Sequence, residues 1–176
     1  MQQLLIYFFI ALGLSMYAFS LALAYGTNKL TKKNIILLSL FVGLFHFFMP
    51  LLGSVIGINL LEQFVTKSNI IVALIFLVLA IEMYLSRNEK KKGSIDNLLS
   101  ILIFSFTVSI DSFSVGIGLG LTNQHIFNAS LIFSIVSGII TYLGLILGEK
   151  LYNKYEKKAT YVGIIILILI AISYLV

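Results

Sequence analysis

The chain has 176 residues, of which 60% are hydrophobic and 11% are charged, and its mean hydropathy is +1.07. These values exclude an ordinary soluble domain and indicate a chain whose main solvent is lipid. The absence of cysteine excludes disulfides and thiolate metal sites, so oxygen and imidazole are the strong metal ligands that remain. The net charge of +5 does not indicate nucleic-acid binding, because the basic residues lie in short joints between apolar segments.

Six apolar stretches follow one another along the chain, each roughly matching the 20 residues that a spanning helix needs. In chain order they are 3–25, 34–57, 70–85, 98–122, 126–148 and 159–176. The third and sixth are short for a span, which leaves a re-entrant segment as an alternative there. The first lacks the basic start of a signal peptide and is expected to belong to the mature protein. The sequence therefore predicts an all-α integral membrane protein with six transmembrane helices in a single transmembrane domain, residues 1–176.

The joints after the first, third and fifth stretches hold nearly all of the 12 basic residues. They contain Lys29, Lys32, Lys33, Arg87, Lys90, Lys91, Lys92, Lys150, Lys154, Lys157 and Lys158, whereas the opposite face has Lys67. By the positive-inside bias these joints are cytoplasmic, so both termini are expected outside. A compact chain without a targeting extension indicates a bacterial plasma membrane, with lipid as its surrounding partner.

The first and fourth stretches carry matching polar patterns. Residues 15–20 and 109–114 align at an offset of 94, with Ser, Phe and Ser in the same places. Small-residue faces of the second and fifth stretches align at an offset of 91, which maps His46 onto Ser137. We therefore predict an internal repeat of three helices.

An odd number of spans in each half gives the two halves opposite orientations in the membrane. The predicted arrangement is two inverted three-helix repeats, about 1–85 and 98–176, joined by a cytoplasmic linker, 86–97. Inverted repeats recur in secondary transporters, although duplication in a purely structural membrane protein is an alternative.

Asp111 is predicted to lie near the centre of the fourth stretch, where a carboxylate costs about 2.5–3.5 kcal/mol on insertion scales. Ionisable groups within spans usually mark ion paths; the alternative is a protonated Asp hydrogen-bonded across helices. Thr107 and Ser114 share its helix face and offer oxygen atoms to a dehydrated cation. Tyr17, the equivalent residue in the first stretch, is interpreted as buried packing, as a partner for Asp111 or as a weak oxygen ligand. Further hydroxyls predicted along the path, some of them alternatively packing contacts, are Ser15, Ser20, Ser109, Ser137 and Thr141.

His46 precedes Pro50, the chain's single proline, by one helical turn. Proline cannot donate to the carbonyl of residue 46, so we predict a helix break at Pro50. A neutral imidazole can bind a borderline metal or relay a proton, or else hydrogen-bond within the bundle. Glu82 completes the predicted metal set of Asp111, His46 and Glu82, with an interfacial position as its alternative. No nucleotide-binding loop or nucleophile with a matching base is found, so neither an enzyme nor a cofactor is predicted.

Three segments carry a family resemblance that extends over the whole chain. Residues 15–19, Ser-Met-Tyr-Ala-Phe, resemble the Ser-Met-Asp-Ala-Phe motif of the manganese efflux pump family, within the lysine-exporter superfamily. Residues 109–111, Ser-Ile-Asp, resemble its second motif, and residues 49–53, Met-Pro-Leu-Leu-Gly, resemble its Pro-Leu-x-Gly segment. The resemblance implies secondary-active export of a divalent cation, Mn²⁺, across the membrane, with Asp111 as the metal-facing carboxylate.

Three positions depart from the family pattern. Tyr17 replaces an aspartate, His46 replaces an acidic or amide residue, and Thr160 stands where an acidic residue is expected. Only Asp111 remains of the three acidic positions. The alternatives are therefore export of another ion or small solute, or a non-transporting membrane protein that retains the fold; the oligomeric state is left open.

Overall fold

The structure, a computed structural model, describes residues 2–27, 30–64, 68–86, 97–122 and 125–175, nearly all of them helical. The helices are α1 (Gln2–Gly26), α2 (Lys32–Phe64), α3 (Ser68–Ser86), α4 (Leu98–Val108), α5 (Ile110–Leu121) and α6 (Ile126–Leu175). Within these described ranges, four segments are long and apolar enough to cross a membrane: Gln3–Gly26, Lys32–Asn59, Leu98–Leu121 and Ile126–Gly148. Asn69–Leu85 and Thr160–Leu175 are shorter apolar helices. The prediction of an all-helical, multi-pass membrane protein is confirmed.

Large apolar side chains lie on the outside of the bundle and polar side chains lie inside it. Leu40, Leu85 and Leu169 are 64%, 68% and 60% exposed. Among the residues whose burial the structure describes, eight polar ones have no exposed surface: Ser15, His46, Ser105, Ser109, Ser112, Ser130, Ser137 and Thr141. Lipid solvates the apolar exterior, and small polar residues allow helices to approach and hydrogen-bond inside.

The first arm of α6, Ile126–Gly148, runs parallel to α1. Ser137 contacts Ser15 near the start of the shared interface, and Gly148 contacts Gly26 at its end. The residue numbers thus increase together along both helices, which defines a parallel pair.

The second arm of α6, Thr160–Leu175, runs antiparallel to α1. Thr160 contacts Ser20, whereas Leu167, further along the arm, lies against the earlier residue Gly13. The helical backbone of α6 therefore turns back on itself between the two arms. The polar joint predicted between the fifth and sixth stretches lies in this turning region.

Glycine pairs bring two helix pairs into backbone contact. Gly26 packs on Gly148 between α1 and the first arm of α6, and Gly120 packs on Gly57 between α5 and α2. A Cβ added at Gly120 would lie 2.5 Å from the carbonyl oxygen of Ser54, so only glycine fits without a backbone shift. The offset of 94 maps Gly26 onto Gly120, and the offset of 91 maps Gly57 onto Gly148. The two glycine pairs therefore occupy repeat-related positions.

Two predictions of helix continuity are wrong. The fourth stretch is not one helix, because α4 ends at Val108 and α5 begins at Ile110. Conversely, α2 continues through Pro50, so no helix break occurs there. Proline removes one donor from a helix, and close packing inside a membrane bundle tolerates that loss. Here the backbone of Pro50 lies against Gly116 of α5.

Several predicted features lie outside the described residues. They include most of the linker 86–97 and the basic residues Lys29, Lys67, Arg87, Lys90, Lys91 and Lys92. The predicted orientation in the membrane stays a prediction.

Candidate functional site

The break between α4 and α5 occurs at Ser109, whose backbone has φ −101° and ψ 1°. The Ser109 N–H donates to the Phe106 carbonyl at 3.1 Å, three residues back. Its hydroxyl donates to the Ser105 carbonyl, four residues back, at 2.7 Å. The side chain thus satisfies a carbonyl at the point where the regular helical pattern changes. The break places Asp111 in the first turn of a new helix.

Asp111 holds its carboxylate at the start of α5. One oxygen, Oδ1, accepts hydrogen bonds from the Ser112 N–H at 2.6 Å and from the Ser112 hydroxyl at 3.3 Å. The positive end of the α5 dipole favours negative charge at this position. The side chain is 16% exposed, so the carboxylate remains accessible although it is mostly surrounded by protein.

His46 on α2 faces this carboxylate. Its Nδ1 lies 2.9 Å from the Val42 carbonyl oxygen and 2.8 Å from the Ser109 hydroxyl. Its Nε2 lies 3.9 Å from Asp111 Oδ1, and among the described residues Nε2 has no hydrogen-bond partner. The residue is fully buried. An imidazole nitrogen and a carboxylate oxygen therefore face one another inside the bundle.

A cavity of about 250 Å³ lies beside Asp111. Its polar lining consists of Asp111, Tyr17, Glu82 and Thr107. Glu82 and Thr107 are exposed, and the Thr107 hydroxyl donates to the Ile103 carbonyl at 2.8 Å. Apolar side chains form the remaining walls: Leu14, Leu79, Met83, Val108, Ile110 and Leu167. The cavity brings together four of the residues singled out in the sequence.

The repeat-related positions form a second corner between α1 and the first arm of α6. The Ser15 hydroxyl donates to the Ala11 carbonyl at 2.5 Å and lies 2.8 Å from the Ser137 hydroxyl. Ser137 occupies the place of His46, and Tyr17 occupies the place of Asp111. The second corner repeats the serine contacts of the first without its ionisable pair.

The other predicted path residues do not line the cavity beside Asp111. Ser20 accepts a hydrogen bond from Thr160 at 3.0 Å, so it joins α1 to the second arm of α6. Ser114 is half-buried on α5. Thr141 is fully buried, and within the described part of the chain its hydroxyl has no hydrogen-bond partner.

The predicted metal set is only partly brought together. His46 and Asp111 are adjacent, whereas Glu82 shares the cavity with Asp111 and has an exposed side chain. Within the described ranges, no three His, Cys, Asp or Glu side chains gather into a potential metal centre. Any ion held by the pair must take its remaining ligands from hydroxyls, carbonyls or water.

Two partners of the pair are not predicted from the sequence. Ser109 is predicted only as a path hydroxyl and not as a contact of His46, and Ser112 is not predicted as the donor to Asp111. The two offsets relate Ser109 and His46 to Ser15 and Ser137, but they do not specify which helices pack together, so they do not predict the contact.

The chain as a whole matches a known protein family and several curated relatives. A family model, Mntp, described as "Putative manganese efflux pump", matches residues 29–175. A "Putative manganese efflux pump MntP" of Bacillus pumilus (strain SAFR-032) is 34% identical over 175 residues, covering 98% of this chain and 95% of that protein. A protein of the same name from Geobacillus thermodenitrificans (strain NG80-2) is 35% identical over 141 residues, covering 79% of this chain and 77% of that protein.

A third relative with that name, from Oceanobacillus iheyensis, is 34% identical over 146 residues, covering 82% of this chain and 80% of that protein. No solved structure matches the chain. The family resemblance expected from the helix motifs is thereby confirmed, and the chain belongs to the Mntp family of manganese efflux pumps.

Proposed function

We propose that this protein exports Mn²⁺ from the cytoplasm by secondary-active transport, with Asp111 and His46 as the central ligands. The observation that carries the proposal is the 3.9 Å separation of His46 Nε2 and Asp111 Oδ1 inside an apolar bundle. Ionisable side chains within membrane spans usually line substrate or ion paths. The names of the relatives support manganese as the cargo.

The chemistry of the pair suits a borderline divalent cation. Metal–ligand distances of about 2.0–2.6 Å allow one ion to contact two donors that lie 3.9 Å apart. Carboxylate oxygen suits hard cations, whereas imidazole nitrogen favours first-row transition metals. A mixed oxygen and nitrogen site without thiolate therefore accommodates Mn²⁺ and gives no advantage to a soft cation such as Cu⁺.

The cavity supplies the remaining ligands. Tyr17, Thr107 and Glu82 line the same space as Asp111, and their side chains carry two hydroxyl groups and a carboxylate. A hard or borderline divalent ion takes about six ligands, so water molecules complete its coordination. In this proposal Glu82 attracts the cation at the exposed end of the cavity, and Asp111 holds it at the buried end.

The architecture that we propose for transport is six spans arranged as two inverted repeats, about 1–85 and 98–176. Its support is the pair of sequence offsets, which relate the Gly26–Gly148 contact to the Gly120–Gly57 contact. The opposite directions of the two α6 arms give the second half its third span. Two such halves can exchange roles, which opens the site to each side in turn.

The proposed orientation has both termini outside a bacterial plasma membrane and the joint after α3 in the cytoplasm. Glu82 lies near the C-terminal end of α3, so the cavity reaches from Asp111 toward the cytoplasmic side. This arrangement corresponds to a state ready to accept Mn²⁺ from the cytoplasm. Because Tyr17 stands where the family motif has an aspartate, less negative charge is available to the ion. The protein therefore depends on Asp111.

The test is the manganese content of bacterial cells that lack their own exporter and express the full chain. Wild type is expected to lower cell manganese several-fold, and Asp111→Asn, which removes the charge but keeps the shape, should match empty vector. Glu82→Gln makes the same chemical change at the exposed end of the cavity and should retain partial export. Equal membrane levels of the three proteins are verified on blots.

Each outcome separates one part of the proposal from another. Wild-type cells with unchanged manganese would overturn manganese export. A fall in another cation at unchanged manganese would establish the alternative substrate. Full export by Asp111→Asn would remove Asp111 from the ion site while leaving the function in place.

A further inference from the structure

We propose that Ser109 is a positioning residue that holds His46 with its Nε2 lone pair toward Asp111, so that the site prefers Mn²⁺ to Mg²⁺. This inference rests on the proposed function, because it concerns how the same pair recognises its cargo. Its basis is the set of hydrogen bonds around the imidazole.

The tautomer of His46 follows from the partners of Nδ1. A backbone carbonyl can only accept, so the 2.9 Å contact with the Val42 carbonyl requires a proton on Nδ1. The Ser109 hydroxyl donates its own proton to the Ser105 carbonyl at 2.7 Å, which leaves its oxygen free to accept from Nδ1 at 2.8 Å. In the neutral ring the unprotonated nitrogen is then Nε2, the one that faces Asp111.

The two partners of Nδ1 have different consequences. Val42 lies on the same helix as His46, so its carbonyl orients the ring relative to α2 alone. Ser109 lies two residues before Asp111, at the break between α4 and α5. The Ser109 contact therefore fixes the distance between the imidazole and the carboxylate.

The buried nitrogen explains a preference between divalent cations. Mg²⁺ favours oxygen ligands and keeps much of its water, whereas first-row transition metals accept imidazole readily. Nε2 is fully buried and has no protein hydrogen-bond partner among the described groups, so its lone pair is available to an ion. Without this nitrogen, the site retains the Asp111 carboxylate and binds an ion through oxygen ligands alone. Such ligands suit Mg²⁺ as well as Mn²⁺.

The experiment measures Mn²⁺ binding to the full chain in lipid nanodiscs, in competition with Mg²⁺. His125→Gln makes His46 the single histidine, and purification through a histidine-free tag keeps it so. Labelling with ¹⁵N-histidine then reports directly bound nitrogen as a hyperfine coupling in pulsed electron paramagnetic resonance of Mn²⁺. The variants are Ser109→Ala, Ser109→Thr and Ser39→Ala.

Ser39→Ala is the matched control. The Ser39 hydroxyl donates to the carbonyl four residues back, as that of Ser109 does, at 2.8 Å, and it contacts no imidazole. Ser109→Thr keeps the hydroxyl. We expect Ser109→Ala to reduce the Mn²⁺ preference over Mg²⁺ by about tenfold, typical of residues that orient a metal-bound histidine, and to lose the nitrogen coupling. Ser109→Thr should restore both, and Ser39→Ala should resemble wild type.

The inference is overturned if Ser109→Ala keeps the wild-type preference and the nitrogen coupling. The His125→Gln protein with Ser109 intact provides a second test, because ¹⁵N chemical shifts of its metal-free ring distinguish the two tautomers; a proton on Nε2 would overturn the inference even if Ser109→Ala failed to fold. If cells expressing the protein export manganese but Mn²⁺ bound to the purified protein shows no nitrogen coupling, this inference is rejected and the proposed function stands. Absence of export would reject the proposed function itself.

Discussion

The corner formed by α2 with the α4–α5 break and the corner formed by α1 with the first arm of α6 share a backbone design and differ in their chemistry. Both have a buried serine that donates to a carbonyl four residues back and contacts a side chain on the partner helix. The first corner contacts His46 and carries Asp111, whereas the second contacts Ser137 and carries Tyr17.

The difference also extends to the backbone. α1 is continuous through Ser15, while the equivalent helix is interrupted at Ser109. Small residues and serine contacts thus hold both corners together, and the ionisable groups coincide with the interruption. The shared contacts thus account for the packing of both corners, and the proposed ion site lies where the two corners differ.

The largest effect on the shared design is expected at the glycine contacts. Gly120→Ala and Gly26→Ala each place a methyl group on a facing backbone carbonyl, which forces the helices apart. Overpacking of this kind costs about 1–3 kcal/mol, and similar losses of thermal stability in detergent are expected in both corners. Gly118→Ala is the control, since its nearest neighbours are side-chain atoms at 3.5–3.6 Å. Equal melting of Gly120→Ala and Gly118→Ala would contradict the shared backbone design.

A gain of ion binding is expected when the second corner receives the groups of the first. The double variant Tyr17→Asp with Ser137→His places a carboxylate and an imidazole at the repeat-related positions. We expect a second Mn²⁺ per chain, measured by equilibrium dialysis and elemental analysis, with each single variant as a control. An unchanged stoichiometry would mean that the helix break at Ser109 is itself required for binding.

A smaller effect is expected at the contact between α1 and the second arm of α6. Ser20→Ala removes the hydrogen bond from Thr160, and one such bond contributes about 0.5–1.5 kcal/mol. Denaturant titration in mixed micelles should show this loss. Ser173→Ala, which removes only a local bond to the Ile170 carbonyl, is the control and should lose less. A larger loss for Ser173→Ala would contradict the assigned contact.

Much of the helical architecture could be predicted because lipid requires long apolar helices with satisfied backbones. The helix break could not, since Ser109 lies in an ordinary Ser-Ile-Asp run, and proline is the usual signal for a break. That signal misplaced the break at Pro50, where tight packing on Gly116 accompanies a continuous helix.

The sequence singles out Asp111 and His46 as candidate site residues, but it does not predict that their side chains lie next to each other. Asp111 and His46 stand out because ionisable groups are rare within spans. Their separation of 3.9 Å depends on which helices pack together, which residue types alone do not specify. Glu82 is predicted to join Asp111 and His46 because it is an ionisable residue within an apolar stretch. The structure places it on the cavity wall with Asp111.

The most direct test of the ion site is Mn²⁺ transport by purified protein in liposomes that contain a manganese-sensitive dye. Wild type should move Mn²⁺ across the membrane, and Asp111→Asn, reconstituted to the same density and with the same melting temperature, should be as inactive as empty liposomes. Transport by Asp111→Asn at the wild-type rate would show that the ion does not depend on this carboxylate, and would contradict the assignment of the site to Asp111 and His46.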